Sequence, residues 1–291
     1  MRLIFLHGIN QDGRDPKELK RQWIVDLEAG IGRPNALGGT DIAMPYYGDA
    51  LVAAASLKSG AIAQGLSESD ERDLAHFLVE GLDEQASAVG ISKTAIAEEQ
   101  ELAPTVGTVV PQGFPMNRRI NAIVSLLERL SPLHGDLALR LLGQAYAYLK
   151  NANARRAVDD IVRPALEGGP AVVVSHSLGT IVGFAALRER AAKGHPADVP
   201  LFVTIGSPLA LSTVQRAIGP TFANPAGVGR WMNLRDPDDL ISLNRGLDSP
   251  RFAGPIENFD DFNNPGKDPH AIPGYLTCSP IAAAISSVLN I

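Results

Sequence analysis

Ala171-Val172-Val173-Val174-Ser175-His176-Ser177-Leu178-Gly179 begins with four consecutive apolar residues and ends on a glycine. A short unbroken apolar run is the mark of a strand buried on both faces, which is how the strands of parallel sheets read. The residues before it, 154–166, are helical in composition and stop at Gly168-Gly169, and residues 179–192 behind it are helical again. Working outward, Leu3-Ile4-Phe5-Leu6 is a second buried strand ending at His7-Gly8. Asp15-Pro16 then reads as an N-cap with proline in the first helical turn, followed by Leu19, Trp23, Ile24 and Leu27 at helical spacing and a stop at Gly30. Residues 41–47 form the next strand, with Pro45 bending its second half. Leu201-Phe202-Val203-Thr204-Ile205 and Arg230-Trp231-Met232-Asn233-Leu234 are further strands, residues 256–262 a weaker one, and Ser279-Pro280 opens a last helix to about Leu289. Strands alternating with helices predict an α/β fold, a doubly wound sheet of about six mainly parallel strands covered on both faces.

Bulk composition narrows the function. A chain of 291 residues suits one large domain or two small ones. Its 26 Lys and Arg against 32 Asp and Glu leave a net charge of −6, spread without basic clusters, so no nucleic-acid partner is expected. The single cysteine, Cys278, excludes an internal disulfide and reads as a small buried apolar residue, and the six histidines show no metal-ligand spacing. Met1 to Leu6 is basic and then apolar but has no cleavage site after it, and no stretch is long enough to span a bilayer. The expectation is a soluble, cytoplasmic protein without a transmembrane segment.

Residues 50–150 break the alternation. Leu74, Phe77, Leu78 and Leu82 share one helical face behind a Ser67/Ser69 cap; Ile120, Ile123, Val124, Leu127 and Leu130 share another; Leu137, Leu141 and Leu149 a third. Between the first two, residues 101–115 carry Pro104, Gly107, Pro111, Gly113 and Pro115 and read as an irregular loop. The domain reading is therefore a core of residues 1–49 and 151–291 with a helical insertion at 50–150. That insertion either completes the core or caps a site, since insertions at the carboxyl ends of strands lie where ligands bind.

Ser177 carries the chemistry. It follows a buried strand and precedes a helix, the context in which G-x-S-x-G becomes a tight turn that exposes a strained serine hydroxyl. Only small residues fit two positions before and after it. Gly179 meets that need, and Ser175 stands where the leading glycine is usual. His176, inside the turn, reads as a packing residue pointing away from the site, and His7 as a ring that hydrogen-bonds backbone beside the first turn. His76, His134 and His195 read as solvent-facing. No phosphate loop is present, because neither a Gly-Lys-Ser/Thr run nor a G-x-G-x-x-G occurs.

With these segments in hand the chain resembles the α/β-hydrolase superfamily, its serine lipases and esterases in particular. The resemblance rests on Leu6-His7-Gly8, on Ser175 to Gly179, on Asn233-Leu234-Arg235-Asp236-Pro237-Asp238-Asp239-Leu240-Ile241, and on His270-Ala271-Ile272-Pro273-Gly274-Tyr275. It spans the chain apart from the insertion, and it implies that the two leading strands of the full fold are missing ahead of Leu3. A Ser–acid–His order is implied, with His270 the one histidine after the acid. Asp239, followed by Leu240-Ile241, fits the acid best, with Asp236 and Asp238 as alternatives and Asp260 and Asp261 one strand too late. The same resemblance implies an oxyanion hole from the backbone N–H groups of Ile9 and Leu178, no cofactor or metal, and cleavage of a lipid or other acyl ester through an acyl-serine. Thioesterases, amidases and acyltransferases use the same triad, and a binding protein that has lost catalysis would keep the same fold.

Overall fold

A computed structural model describes residues 1–54, 67–102, 117–131, 134–220, 222–243, 245–248, 252–266 and 268–291. Its strands are β1 (Arg2–Leu6), β2 (Asp41–Ala43), β3 (Ala171–His176), β4 (Val199–Ile205), β5 (Phe222–Ala223), β6 (Val228–Leu234), β7 (Phe252–Ala253) and β8 (Ile256–Phe259). Six of them form one sheet in the order β2-β1-β3-β4-β6-β8, every neighbouring pair parallel, while β5 and β7 pair separately. The fold is thus α/β with a parallel six-stranded sheet.

The order of the strands positions the site. The chain enters at β1, places β2 on one side and then crosses to β3 on the other, so neighbouring loops diverge beyond the carboxyl ends of β1 and β3. A crevice opens at such a reversal of direction. Register keeps these ends level: Leu6 pairs with Ser175, His176 with Ile205, and Ile205 with Leu234.

The helices are α1 (Pro16–Ile31), α2 (Gly48–Ala54), α3 (Glu68–Ala88), α4 (Lys93–Leu102), α5 (Arg118–Leu130), α6 (His134–Lys150), α7 (Ala152–Val162), α8 (Leu178–Ala192), α9 (Ser212–Ile218), α10 (Ile272–Thr277) and α11 (Ser279–Leu289). Side chains alternate along a strand, so β3 serves two cores. Val172 and Val174 join Trp23, Leu27, Tyr275 and Ile281 on the side of α1, α10 and α11. Val173 joins Leu178, Ile181 and Phe202 on the other side, together with Leu74, Leu78, Ile123, Leu127, Leu139 and Leu142 from the insertion. Helices α3, α5 and α6 therefore direct their apolar stripes into the same core that supports the sheet, apart from Leu130 at the end of α5, which is exposed. Arg119, 2.7 Å from Asp83, ties α5 to α3.

Local signals explain the element boundaries. Asp15 caps α1 by accepting from the Lys17 N–H at 2.9 Å, with Pro16 behind it, and Ser67 caps α3 through the Asp70 N–H at 3.2 Å. Strand β8 ends at Phe259 and not at 262 as the sequence reading has it, and three further boundaries differ for local reasons. Helix α1 runs through Gly30 and ends at Gly32, whose φ of 72° supplies the left-handed cap. Gly30 instead lets α10 approach, since a Cβ there would lie 2.4 Å from the Leu276 carbonyl oxygen. Strand β2 ends at Ala43, ahead of Pro45, and Pro164 turns the end of the helix before β3 into a 3₁₀ turn. The insertion contains no strand among its described residues; the loop expected at 101–115 lies outside the described residues from 103 onward.

Candidate active site

The serine turn is built from β3, α8 and the end of β4. Ser177 has φ 54° and ψ −126°, a conformation costing a non-glycine residue about 1–3 kcal/mol. Neighbouring contacts hold it there. Its N–H donates to the Ile205 carbonyl at 3.1 Å, and its carbonyl accepts from the Thr180 hydroxyl at 2.7 Å. Gly179 is required by contact: a Cβ would sit 2.3 Å from the Leu6 carbonyl oxygen. Ser175 fits in place of glycine because its fully buried hydroxyl donates to the Val203 carbonyl at 3.1 Å. The Ser177 Oγ itself is buried and has no hydrogen-bond partner among the described residues.

The acid and the histidine meet from different loops. Asp239 ends the β6 loop and caps a 3₁₀ turn, accepting the Ile241 N–H on Oδ1 at 2.9 Å. Its Oδ2 accepts from the His270 ring Nδ1 at 2.8 Å and from the Tyr275 hydroxyl at 2.7 Å. A carboxylate acceptor fixes the proton on Nδ1, so His270 Nε2 carries the lone pair. That Nε2 is buried and has no partner among the described residues. No hydrogen bond joins Ser177 Oγ to His270 Nε2, as is common in resting sites where this contact tightens only around substrate. The other two aspartates serve elsewhere. Asp236 is buried and accepts the N–H groups of Asp238 and Asn264 at 2.7 and 2.5 Å, and Asp238 is exposed. Asp260 pairs with Arg235.

On the β1 side, His7 has the bland role expected of it. Its Nδ1 donates to the Gly8 carbonyl at 2.9 Å, its Nε2 accepts the Tyr47 N–H at 3.2 Å, and its ring stacks on Tyr47 with centroids 4.0 Å apart. The Tyr47 hydroxyl donates back to the His7 carbonyl. These bonds fix the turn that presents Ile9. Neither the Ile9 nor the Leu178 N–H has a hydrogen-bond acceptor among the described residues, and Leu178 lies in the opening turn of α8, where no carbonyl precedes it in the helix. Burial lowers the His7 pKa to about 4. Below pH 6.5 the unfolded chain then binds a proton that the folded chain refuses, so stability falls as pH drops from 6.5 toward 4, by about 3 kcal/mol. His176, held low by burial and by the neighbouring His270, acts in the same direction. Urea unfolding at pH 7 and pH 4.5 should show that His7→Gln loses less stability between the two than the wild type. Equal losses would contradict a buried neutral His7.

A cavity of about 380 Å³ brings the pieces together. Ser177, His176 and His270 line it with Ile9, Trp23 and Leu137. Comparisons of the chain with protein-family models, curated proteins and solved structures find no match. What the site does must therefore be argued from its own atoms. Its walls come from the β1–α1 loop, α1 and the His270 loop, and of the described insertion residues only Leu137 lines it. One expectation is corrected here. His176 faces the site: its ring lies 4.5 Å from that of His270 and its Nε2 donates to the His270 carbonyl at 2.9 Å. As the last residue of β3 it shares the face of Val172 and Val174, and the His270 loop returns over that same face.

Three contributors escaped the sequence reading. Gly206 has φ 53°, and a Cβ there would lie 2.9 Å from Asp239 Oδ2 and 3.0 Å from His270 Nδ1, so the acid–histidine pair requires glycine beneath it. Asn264 staples the His270 loop, donating from Nδ2 to the carbonyls of Pro269 and Ala271 at 3.2 and 2.8 Å. Tyr275 is fully buried and its hydroxyl also accepts the Asp236 N–H at 3.1 Å. The signal for Tyr275 was available: a tyrosine in a buried apolar segment must find a partner for its hydroxyl. Tyr275→Phe removes one of two side-chain donors to Asp239, and kcat for an ester should drop about tenfold with KM nearly constant, the pattern of a residue that positions the acid without touching substrate. A change confined to KM would remove it from that role.

Proposed function

We propose that the protein is a serine hydrolase of the α/β-hydrolase type that cleaves an acyl ester, with Ser177, Asp239 and His270 as its triad and the Ile9 and Leu178 N–H groups as its oxyanion hole. One observation carries this reading: an unpartnered serine hydroxyl on a strained strand–helix turn shares a cavity with an unpartnered imidazole nitrogen whose ring is anchored on a buried carboxylate. A hydroxyl, a base and an orienting acid in this relation form an activated nucleophile.

The chemistry follows from the atoms. Ser177 Oγ attacks the ester carbonyl carbon while its proton passes to His270 Nε2. The carbonyl oxygen becomes an oxyanion facing the two free N–H groups, and Asp239 stabilises the imidazolium. Collapse of the tetrahedral species breaks the carbon–oxygen bond, with Nε2 returning the proton to the departing alcohol. Water then gives its proton to Nε2 and attacks the acyl-serine, releasing the acid and restoring Ser177. The cavity size supports a small or mid-sized ester. A long-chain lipid preference would draw on the apolar helices of residues 50–150, whose stripes lie in the core, and it finds little support. No described helix is long and apolar enough to cross a membrane. An active-site fluorophosphonate tests the reading: labelling should map to Ser177, and a folded protein that resists the reagent and all p-nitrophenyl esters would end it.

A further inference from the structure

The cavity next to Ser177 has a chemical bias that triad chemistry does not require. Asp26 of α1, nine-tenths buried, lines it; its Oδ1 accepts from the Gln22 amide at 3.0 Å, and its Oδ2 is buried without a partner. Gln11, in the β1–α1 loop, also lines it. The Gln11 Nε2 donates to the Ile9 carbonyl at 2.8 Å, which fixes the orientation of the amide and leaves Oε1 as a buried, unpartnered acceptor. His176 is the third. Its Nε2 must carry the proton because it faces the His270 carbonyl, so its unpartnered Nδ1 is an acceptor as well. Three elements thus bring three buried acceptors without a partner among the described residues to the wall of one cavity, the Gln11 and His176 acceptors being fixed by the bond that the other polar atom of each side chain makes.

Buried acceptors without donors cost stability and are retained where a ligand supplies the donors. Burial also raises the Asp26 carboxyl above its ordinary range, outweighing the single bond from Gln22. Among the described residues Arg14 is the one Lys or Arg on the cavity wall, and it is exposed. Asp268 adds a second carboxylate. An anionic group is therefore disfavoured in the depth of the cavity, and a purely apolar one would leave the acceptors unsatisfied. Acceptors on three separate elements suit several donors carried on separate atoms. An ammonium, in contrast, presents its donors from a single point.

We propose that Asp26, Gln11 and His176 form the subsite for a hydroxyl-rich group of the ester, so that the substrate is an acyl ester of a polyol such as glycerol or a sugar. This rests on the hydrolase reading above and narrows its substrate class.

The test uses butanoate esters that share one acyl group: glyceryl monobutyrate, propyl butyrate, the negatively charged glycolate ester and the dimethylaminoethyl ester. Wild-type kcat/KM should favour the glyceryl over the propyl ester by about 10²-fold, because a site built to bond hydroxyls rejects the analogue that lacks them. Asp26→Asn preserves shape but puts an N–H where the acceptor was, and Gln11→Met removes an acceptor; each should reduce that ratio to a few-fold. Asp26→Asn should also raise Tm, which shows that the variant is folded. Equal rates on glyceryl and propyl esters, or preference for the glycolate or dimethylaminoethyl ester, would overturn the subsite. Titration of Ser177→Ala with the same two neutral esters measures binding without turnover, and failure to bind the glyceryl ester more tightly would overturn it too. Fluorophosphonate labelling of the wild-type preparation separates the two readings: labelled enzyme without polyol preference refutes the subsite alone, whereas no labelling refutes the hydrolase.

Discussion

Ser177→Ala should lower kcat on any ester substrate by about 10⁶-fold, leaving only the ~10³–10⁴-fold over water that oxyanion donors and binding supply. The stability change should have the opposite sign. The Ser177 Oγ is buried and unpartnered, so deleting it removes a desolvated hydroxyl and no hydrogen bond, and Tm should hold or rise. Ser177→Gly should stabilise further, since glycine adopts the 54° φ without the strain that serine and alanine both carry. The two measurements belong together. Loss of turnover with a falling Tm would mean that the serine holds the turn together; loss with Tm unchanged or raised separates chemistry from folding. Normal turnover by a folded Ser177→Ala would assign the nucleophile elsewhere.

Some of this was legible in the sequence and some was not, and the difference has physical causes. Strands β1, β3, β4 and β6 are short apolar runs ended by glycine, polar or charged residues, so their burial on both faces is written in composition. The site residues at strand ends followed from them, because Ser177 and Asp239 each lie just beyond a strand whose end could be located. What failed to show was long-range. The orientation of His176 depends on where the His270 loop returns, 94 residues later, and no local pattern encodes it. Gly206 looked like an ordinary strand terminator, yet its missing Cβ is what leaves room for the Asp239–His270 pair. The periodicity of the insertion left its role open: an apolar stripe on a helix reports that the face is covered, not whether substrate or core covers it. Leu127 and Ile123 are buried in the same core cluster as Leu139 and Leu142 of α6. The acceptors of the cavity were equally silent, since polar residues such as Gln11, Gln22 and Asp26 in an amphipathic helix and its leading loop carry no motif that sets them apart.

The second large effect discriminates among the three clustered aspartates. Asp239→Asn should reduce kcat by up to ~10⁴-fold. The side chain now faces the same three donors, the Ile241 N–H, the His270 ring and the Tyr275 hydroxyl, with one oxygen and one amide nitrogen. If the oxygen stays on the Ile241 N–H, the amide N–H₂ points at His270 Nδ1. The imidazole must then accept on Nδ1 and carry its proton on Nε2, which leaves no lone pair for the Ser177 proton. If the amide turns over, its N–H₂ opposes the Ile241 N–H and the 3₁₀ turn at Leu240–Ser242 loses its cap. Asp236→Asn behaves differently. It weakens acceptors of the Asp238 and Asn264 N–H groups, with a stability cost on the order of 1.5–3 kcal/mol, and the imidazole keeps its tautomer, so most of kcat should survive below the lowered Tm. Asp238→Asn, at an exposed position, should change neither quantity appreciably. Steady-state kcat at saturating ester, measured beside Tm for all three variants, separates the cases. A folded Asp239→Asn with near-normal kcat, or an Asp236→Asn that is folded and inactive, would move the acid off Asp239 and with it the register of the whole triad.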